Sequence, residues 1–208
     1  MNLIEITHPV GAMDEAARAE VAQQIMTGML GGEEIPAETL RRVRRMSHVL
    51  FHEARSWTTG DGPVPDQAPP PYIVTITVPE AWREEMSRYA IGVVRAALRR
   101  QDNQHGVSRE GGDVWVNVVG IADGSIGLNG KATTAAGVLN YMTEEYRAAA
   151  PAQTDLPDGV VVDPICGMQV RLGPRAITLD HNGTTIGLCA TGCRDAYTQN
   201  EGLVPNTP

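Results

Sequence analysis

One stretch constrains this chain more than any other: Val114–Lys131, which reads Val-Trp-Val-Asn-Val-Val-Gly-Ile-Ala-Asp-Gly-Ser-Ile-Gly-Leu-Asn-Gly-Lys. Its first half sets Val114, Val116 and Val118 at alternate positions, the pattern of a strand with one buried face. Its second half carries Gly124, Gly127 and Gly130, which permit a sharp re-entrant turn beside a packed or ligand-contacting surface. Ser47–Pro63 repeats the design, with a strand around His48–Glu53 followed by Gly60-Asp61-Gly62. Two copies of a strand–helix–strand–glycine-turn unit therefore account for residues 1–150. A third unit, holding three cysteines, follows.

In chain order, Asn2–Thr7 alternates and predicts a strand, broken by His8-Pro9-Val10-Gly11. Asp14 stands where a helix N-cap is wanted, ahead of an amphipathic helix Glu15–Leu30 whose apolar face is Ala17, Val21, Ile25 and Met29. Gly31-Gly32 stops it. Pro36–Arg45 predicts a short helix and Ser47–Glu53 a strand parallel to the first, by the logic of a βαβ crossover. Gly60–Pro71 holds five prolines and is a linker or surface crossing. The pattern then restarts: strand Tyr72–Val78, helix Pro79–Gln101 with a buried stripe of Met86, Tyr89, Ala90, Val93, Val94 and Ala97, and a loop Asp102–Gly112. Strand Val114–Val119 and a helix Lys131–Arg147 complete the second copy. The expected class is α+β, with a domain over residues 1–147 (repeats 1–63 and 71–147), a linker over 148–159 and a small cysteine module over 160–208.

The net charge of −8, with Lys131 the one lysine among 17 basic residues, argues against a nucleic-acid surface. Arg41–Arg45 and Arg99–Arg100 are simplest as solvated helix ends that complement the dipole. No stretch approaches the roughly 18 apolar residues of a membrane span, and the amino terminus lacks a secretory pattern. A cytoplasmic protein is expected, one in which cysteines bind metal or pack inertly rather than form structural disulfides.

On Val114–Lys131 and Ser47–Gly62, the front portion resembles the tautomerase superfamily, typified by 4-oxalocrotonate tautomerase, over about residues 1–145. The resemblance implies a four-stranded sheet with two helices on one face, fused repeats in one chain, and assembly as a homotrimer. It also implies chemistry on an amino-terminal proline, and here the sequence departs: it opens Met1-Asn2, and Pro71, at the start of the second repeat, is an internal amide. The positions matching the family's two arginines are Ala12 and His48 in the first repeat, Ala81 and Trp115 in the second, with Arg83 and Arg44 near enough to substitute. If catalysis operates, the Met1 α-amine is the candidate base, its reference pKa of about 8 lowered by burial. His48, His52 and Glu53 are its nearest polar partners, the two histidines on one strand face and Glu53 on the other.

The carboxy-terminal segment resembles the YHS domain, which is related to the TRASH metal-binding motif. The matching residues are Asp163-Pro164-Ile165-Cys166-Gly167-Met168, His181-Asn182-Gly183 and Leu188-Cys189-Ala190-Thr191-Gly192-Cys193, with Gly187-Leu188 where an aromatic pair is usual. If a helix begins at Cys189, then Cys189 and Cys193, four apart, project from one face. Cys166, on a tight knuckle before Gly167, would supply a third thiolate. Thiolates select Zn²⁺ or Cu⁺. His181, Met168, a water or an exogenous group is the candidate fourth ligand; three reduced cysteines packed in a small core are the alternative. The expected function is a tautomerase-fold oligomer carrying a metal-binding module. The alternative is a non-proline isomerase, dehalogenase or decarboxylase acting on a small carbonyl or carboxylate substrate.

Overall fold

The computed structural model describes residues 2–31, 35–65, 67–149 and 156–203. Along the chain run β1 (Asn2–Pro9), α1 (Glu15–Leu30), α2 (Ala37–Arg45), β2 (Ser47–Ala54), β3 (Thr58–Thr59), β4 (Gly62–Pro63), β5 (Tyr72–Pro79) and α3 (Glu80–Gln104). Then follow β6 (Val114–Ile121), β7 (Ile126–Leu128), β8 (Lys131–Thr133), α4 (Ala135–Ala149), β9 (Val160–Val162), β10 (Gln169–Arg171), β11 (Ile177–His181), β12 (Thr184–Leu188) and α5 (Thr191–Asn200). They form two compact units. The first takes Met1–Gly31, Met46–Val78 and Arg83–Gly120; the second takes Gly32–Arg45, Pro79–Trp82 and Ile121–Pro208.

The first unit is built on a sheet of order β2-β1-β5-β6. β1 runs parallel to β2, from Asn2 opposite Ser47 to Pro9 opposite Ala54, and antiparallel to β5. Alternation does what the sequence predicts. Ile4, Ile6, Val74, Ile76 and Val78 turn inward and pack with Ala17, Val21 and Ile25 of α1 and with Ala90, Val94, Ala97 and Leu98 of α3. Both helices thus cover one face, and each fully buried Val or Ile contributes about 1.5–3 kcal/mol relative to exposure. Asp14 caps α1, its Oδ1 accepting from the Ala17 amide at 2.7 Å.

Two details differ from expectation. β1 does not break at His8 but continues through Pro9, because His8 extends the inward file of Asn2, Ile4 and Ile6. Its ring sits edge-on to Phe51 and Tyr72, with centroids 6.2 and 6.5 Å away. The stripe of α3 also excludes Tyr89, which is 55% exposed. At Gly28 the backbone of α1 comes so close to α3 that an added Cβ would lie 2.6 Å from Val93 Cγ1. No ring fits between the helices, and Tyr89 lies outside with its hydroxyl donating to the Gly28 carbonyl.

In the second unit the helix expected from Lys131 starts only at Ala135. Lys131–Thr133 pairs instead with Ile126–Leu128. The turn residues Asn129 and Gly130 both have positive φ, 51° and 77°, as a two-residue Asn-Gly hairpin requires. Asp123 Oδ1 accepts from the Ala135 amide at 2.7 Å and Thr134 Oγ1 from the Gly137 amide at 3.0 Å, which fixes the start of α4. α2 lies against α4 through Arg42, which donates to the Tyr141 carbonyl at 2.7 Å and to Glu144 and Glu145 at 2.7 and 3.0 Å. α4 also packs on α5, and two antiparallel hairpins, β9–β10 and β11–β12, complete the unit. Among the described residues no helix is long and apolar enough to cross a membrane.

Candidate metal centre

Three backbone segments of the second unit each present one cysteine. Cys166 sits on a turn closed by the Gly167 amide donating to the Asp163 carbonyl at 2.9 Å and the Asp163 amide donating to the Met168 carbonyl at 2.9 Å. Gly167 has φ +81°, and a Cβ there would collide with the Tyr146 ring, so the knuckle needs glycine on two counts. Cys189 follows the end of β12. Gly187, where an aromatic residue was expected by resemblance, has its Cα side filled by Val161, Leu172 and Val170. The next residue, Leu188, is buried in the same core as Ile165 and Ala196. α5 begins at Thr191, after Ala190 in the N-cap position, so Cys189 precedes the helix rather than opening it. Cys193 lies in the first turn, its amide donating to the Ala190 carbonyl at 3.1 Å.

The sulfurs nevertheless converge. Cys166 Sγ lies 3.4 Å from Cys189 Sγ, which lies 3.5 Å from Cys193 Sγ, and all three thiols are free. With a carboxylate oxygen of Asp163, the four potential ligand atoms lie within 4.8 Å of one another, a group that could hold a metal ion. Sulfurs bound tetrahedrally at about 2.3 Å from one ion stand about 3.8 Å apart, so small side-chain adjustments suffice. Three sulfur donors suit a soft or borderline ion. Cys166 and Cys193 are buried and Cys189 half-buried. Cys189 lines a groove of about 640 Å³ together with Met168, Arg171, Leu172, Arg175 and Ile177.

Thiol contacts so short distribute the protons unevenly. Cys166 accepts from Cys189 and then from Cys193, and these hydrogen bonds pull its pKa down to about 5 despite burial. The donors shift the other way: hydrogen bonding to Cys166, reinforced by burial, pushes both Cys189 and Cys193 well up. Coupling of this kind favours a single thiolate shared with two thiols over three equivalent thiols. Because the folded value at Cys166 lies below the ordinary one of 9.0, its contribution to stability is complete above that value and is lost as pH falls through about 5. The metal-free, reduced protein should therefore show the ultraviolet absorbance of one thiolate at pH 7, disappearing near pH 5. Absorbance that emerges only above pH 8 would refute this proton arrangement.

The remaining candidates lie elsewhere. His181, at the end of β11, has Nδ1 2.8 Å from the Tyr197 hydroxyl and Nε2 3.2 Å from Asn182 Nδ2, outside the group of Asp163 and the cysteines. Met168 is partly buried against the same core. In the first unit Met1 lies outside the described residues. His48 and His52 are exposed with Leu50 on the open face of the sheet, and His52 Nε2 is 3.1 Å from Glu5 Oε1. Glu53 turns the other way and accepts from Arg18 Nη1 at 3.1 Å. Arg83 is exposed on α3, in the helix layer against the opposite face, and Arg44 is exposed on α2.

The sequence did not reveal a buried charge cluster at the end of α3. Arg109 Nε and Nη2 donate to both oxygens of Asp102 at 2.6 and 2.8 Å, and Nη1 donates to Asp113 at 2.7 Å and to the Pro70 carbonyl at 2.8 Å. Its guanidinium lies 4.8 Å from the centre of the Tyr72 ring. Burial would lower the Arg109 pKa, but hydrogen bonds to Asp102 and Asp113 outweigh it and hold the pKa up. Burial also pushes Tyr72 up to about 12. The cluster borders a cavity of about 510 Å³ reached by Gln101, Asp102 and His105.

No family model matches the sequence, and neither does any curated protein. Solved structures do match in shape. A "probable enzyme" from the thermophilic fungus Aspergillus fumigatus is 18% identical, with 74% of this chain and 98% of that one covered and a TM-score of 0.50. Leishmania major MIF2 is 16% identical over 64% of this chain and 97% of its own, TM-score 0.43. A fused 4-OT wild-type asymmetric trimer is 11% identical over 62% and 94%, TM-score 0.46. The likeness to the Aspergillus protein establishes the fold alone. The chain has an α+β fold, with a βαβ sheet core and a cysteine cluster.

Proposed function

We propose that this protein is a tautomerase-fold oligomer without the catalytic proline, whose YHS-like module binds one Zn²⁺ or Cu⁺ per chain for sensing, storage or delivery. The observation that carries the reading is the convergence of Cys166, Cys189 and Cys193 from three backbone segments, with sulfurs 3.4 and 3.5 Å apart. Three thiols brought so close around one point repel once deprotonated, and a cation relieves that cost. In this reading residues 1–147 form the tautomerase-like portion, 148–159 a linker and 160–208 the metal module.

Assembly as a homotrimer is supported by the open face of the sheet. Leu50, Ile73, Trp115 and Val119 are all more than two-fifths exposed, an apolar patch that association would cover. A cytoplasmic location agrees with three unpaired cysteines. After anaerobic reduction and reconstitution, metal analysis should find about one Zn or Cu per chain, since three thiolates make one site. A metal content near zero under those conditions would remove the proposal.

A further inference from the structure

Asp163 is fully buried and reaches both cysteine-bearing loops. Its Oδ1 accepts from the amides of Ile165 at 2.8 Å and Cys166 at 3.3 Å, and its Oδ2 accepts from the amide of Cys189 at 2.8 Å. Its own amide and carbonyl close the Cys166 knuckle from inside. One side chain therefore fixes the backbone of two sulfur-bearing segments that are 23 residues apart in sequence. A fully buried carboxylate is electrostatically costly. Three amide donors offset that cost only while the carboxylate faces the backbone. Turning it onto an ion would release the Cys189 amide, which sits where the chain passes from β12 to α5.

We propose that Asp163 is the positioning residue of this centre rather than its fourth ligand, and that the fourth coordination position opens to the groove at Cys189. The proposal rests on the metal-binding reading above. The groove side is the accessible one. Of the three cysteines, Cys189 is the half-buried one, and it lines the groove with Met168, Arg171 and Arg175. Carboxylates and amides that orient metal ligands from behind set affinity without touching the ion, and their loss typically costs about 10- to 100-fold in binding.

Co²⁺ is the probe, because its sulfur charge-transfer and d–d bands report ligand number and type. Asp163→Asn keeps the shape but turns an amino group toward amides that need an acceptor. The variant should bind Co²⁺ about 10- to 100-fold more weakly, with wild-type charge-transfer intensity per bound ion and unshifted d–d bands. In the wild-type complex, excess 2-mercaptoethanol should raise the sulfur charge-transfer intensity by about one third, as a fourth sulfur joins three in a tetrahedral site. Unchanged affinity in Asp163→Asn would overturn the positioning role. Shifted d–d bands in the variant, or a wild-type complex indifferent to the added thiol, would make Asp163 a ligand. The thiol titration decides the matter even if the variant fails to fold. Failure of the wild type to take up Co²⁺ at all would instead sink the metal reading beneath it.

Discussion

Replacing Arg109 with methionine should destabilise the sheet unit by about 3–5 kcal/mol, a large share of a small domain's stability. The size follows from burial. The Arg109 and Asp102 side chains are only 12% and 8% exposed, so removing the cation leaves a mostly buried carboxylate without its partner. Exposed pairs of the same chemistry contribute at most about 1 kcal/mol. Arg109 also satisfies Asp113 and the Pro70 carbonyl, so three acceptors lose their donor together. Urea unfolding followed by circular dichroism measures the loss. Converting Asp102 to asparagine as well should recover part of it, since the uncompensated charge is then gone. A loss under about 1 kcal/mol for Arg109→Met would show that the cluster behaves as a surface feature.

Replacing Cys193 with serine should weaken Zn²⁺ or Cu⁺ binding on the order of 100-fold or more. Structural zinc sites with four ligands bind with roughly 10–16 kcal/mol, or about 3 kcal/mol per ligand, and 1.4 kcal/mol is about a factor of ten. Competition against a chromophoric metal indicator measures the effect. Full affinity in the serine variant would mean that Cys193 is a core residue, in keeping with its burial, and not a ligand.

Much of the architecture could be read from the residues because local signals agreed with their surroundings. Val114, Val116 and Val118 alternate and do turn toward the core, and Asp14 caps the helix that its position announces. Lys131–Thr133 reads as the start of a helix because alanines follow it closely, but it pairs with Ile126–Leu128. The decisive signal was Asn129-Gly130, whose positive φ values favour a hairpin over any helical continuation. Tyr89 had the right spacing for burial, but the close approach at Gly28 is a property of two helices, which neither sequence segment carries alone. The polar run Asp102–Gly112 reads as a loop, since nothing in it says that the chain folds back over the Arg109 guanidinium.

The cysteines were legible as a group by their spacing, whereas the part played by Asp163 was not. That aspartate opens the Asp163–Met168 segment, but its use depends on a strand end 26 residues later. His181 had the chemistry of a ligand, and Tyr197 and Asn182 instead occupy its two nitrogens.

The three sulfurs hang from a turn, a strand end and the start of a helix. An ion gripped by all of them would act as a rivet through the hairpins and α5, joining pieces that are otherwise held by a modest apolar cluster. Chelation would then be felt as mechanical loosening, with the chain around Ala190 becoming open to proteases before the β1–β5 sheet gives way.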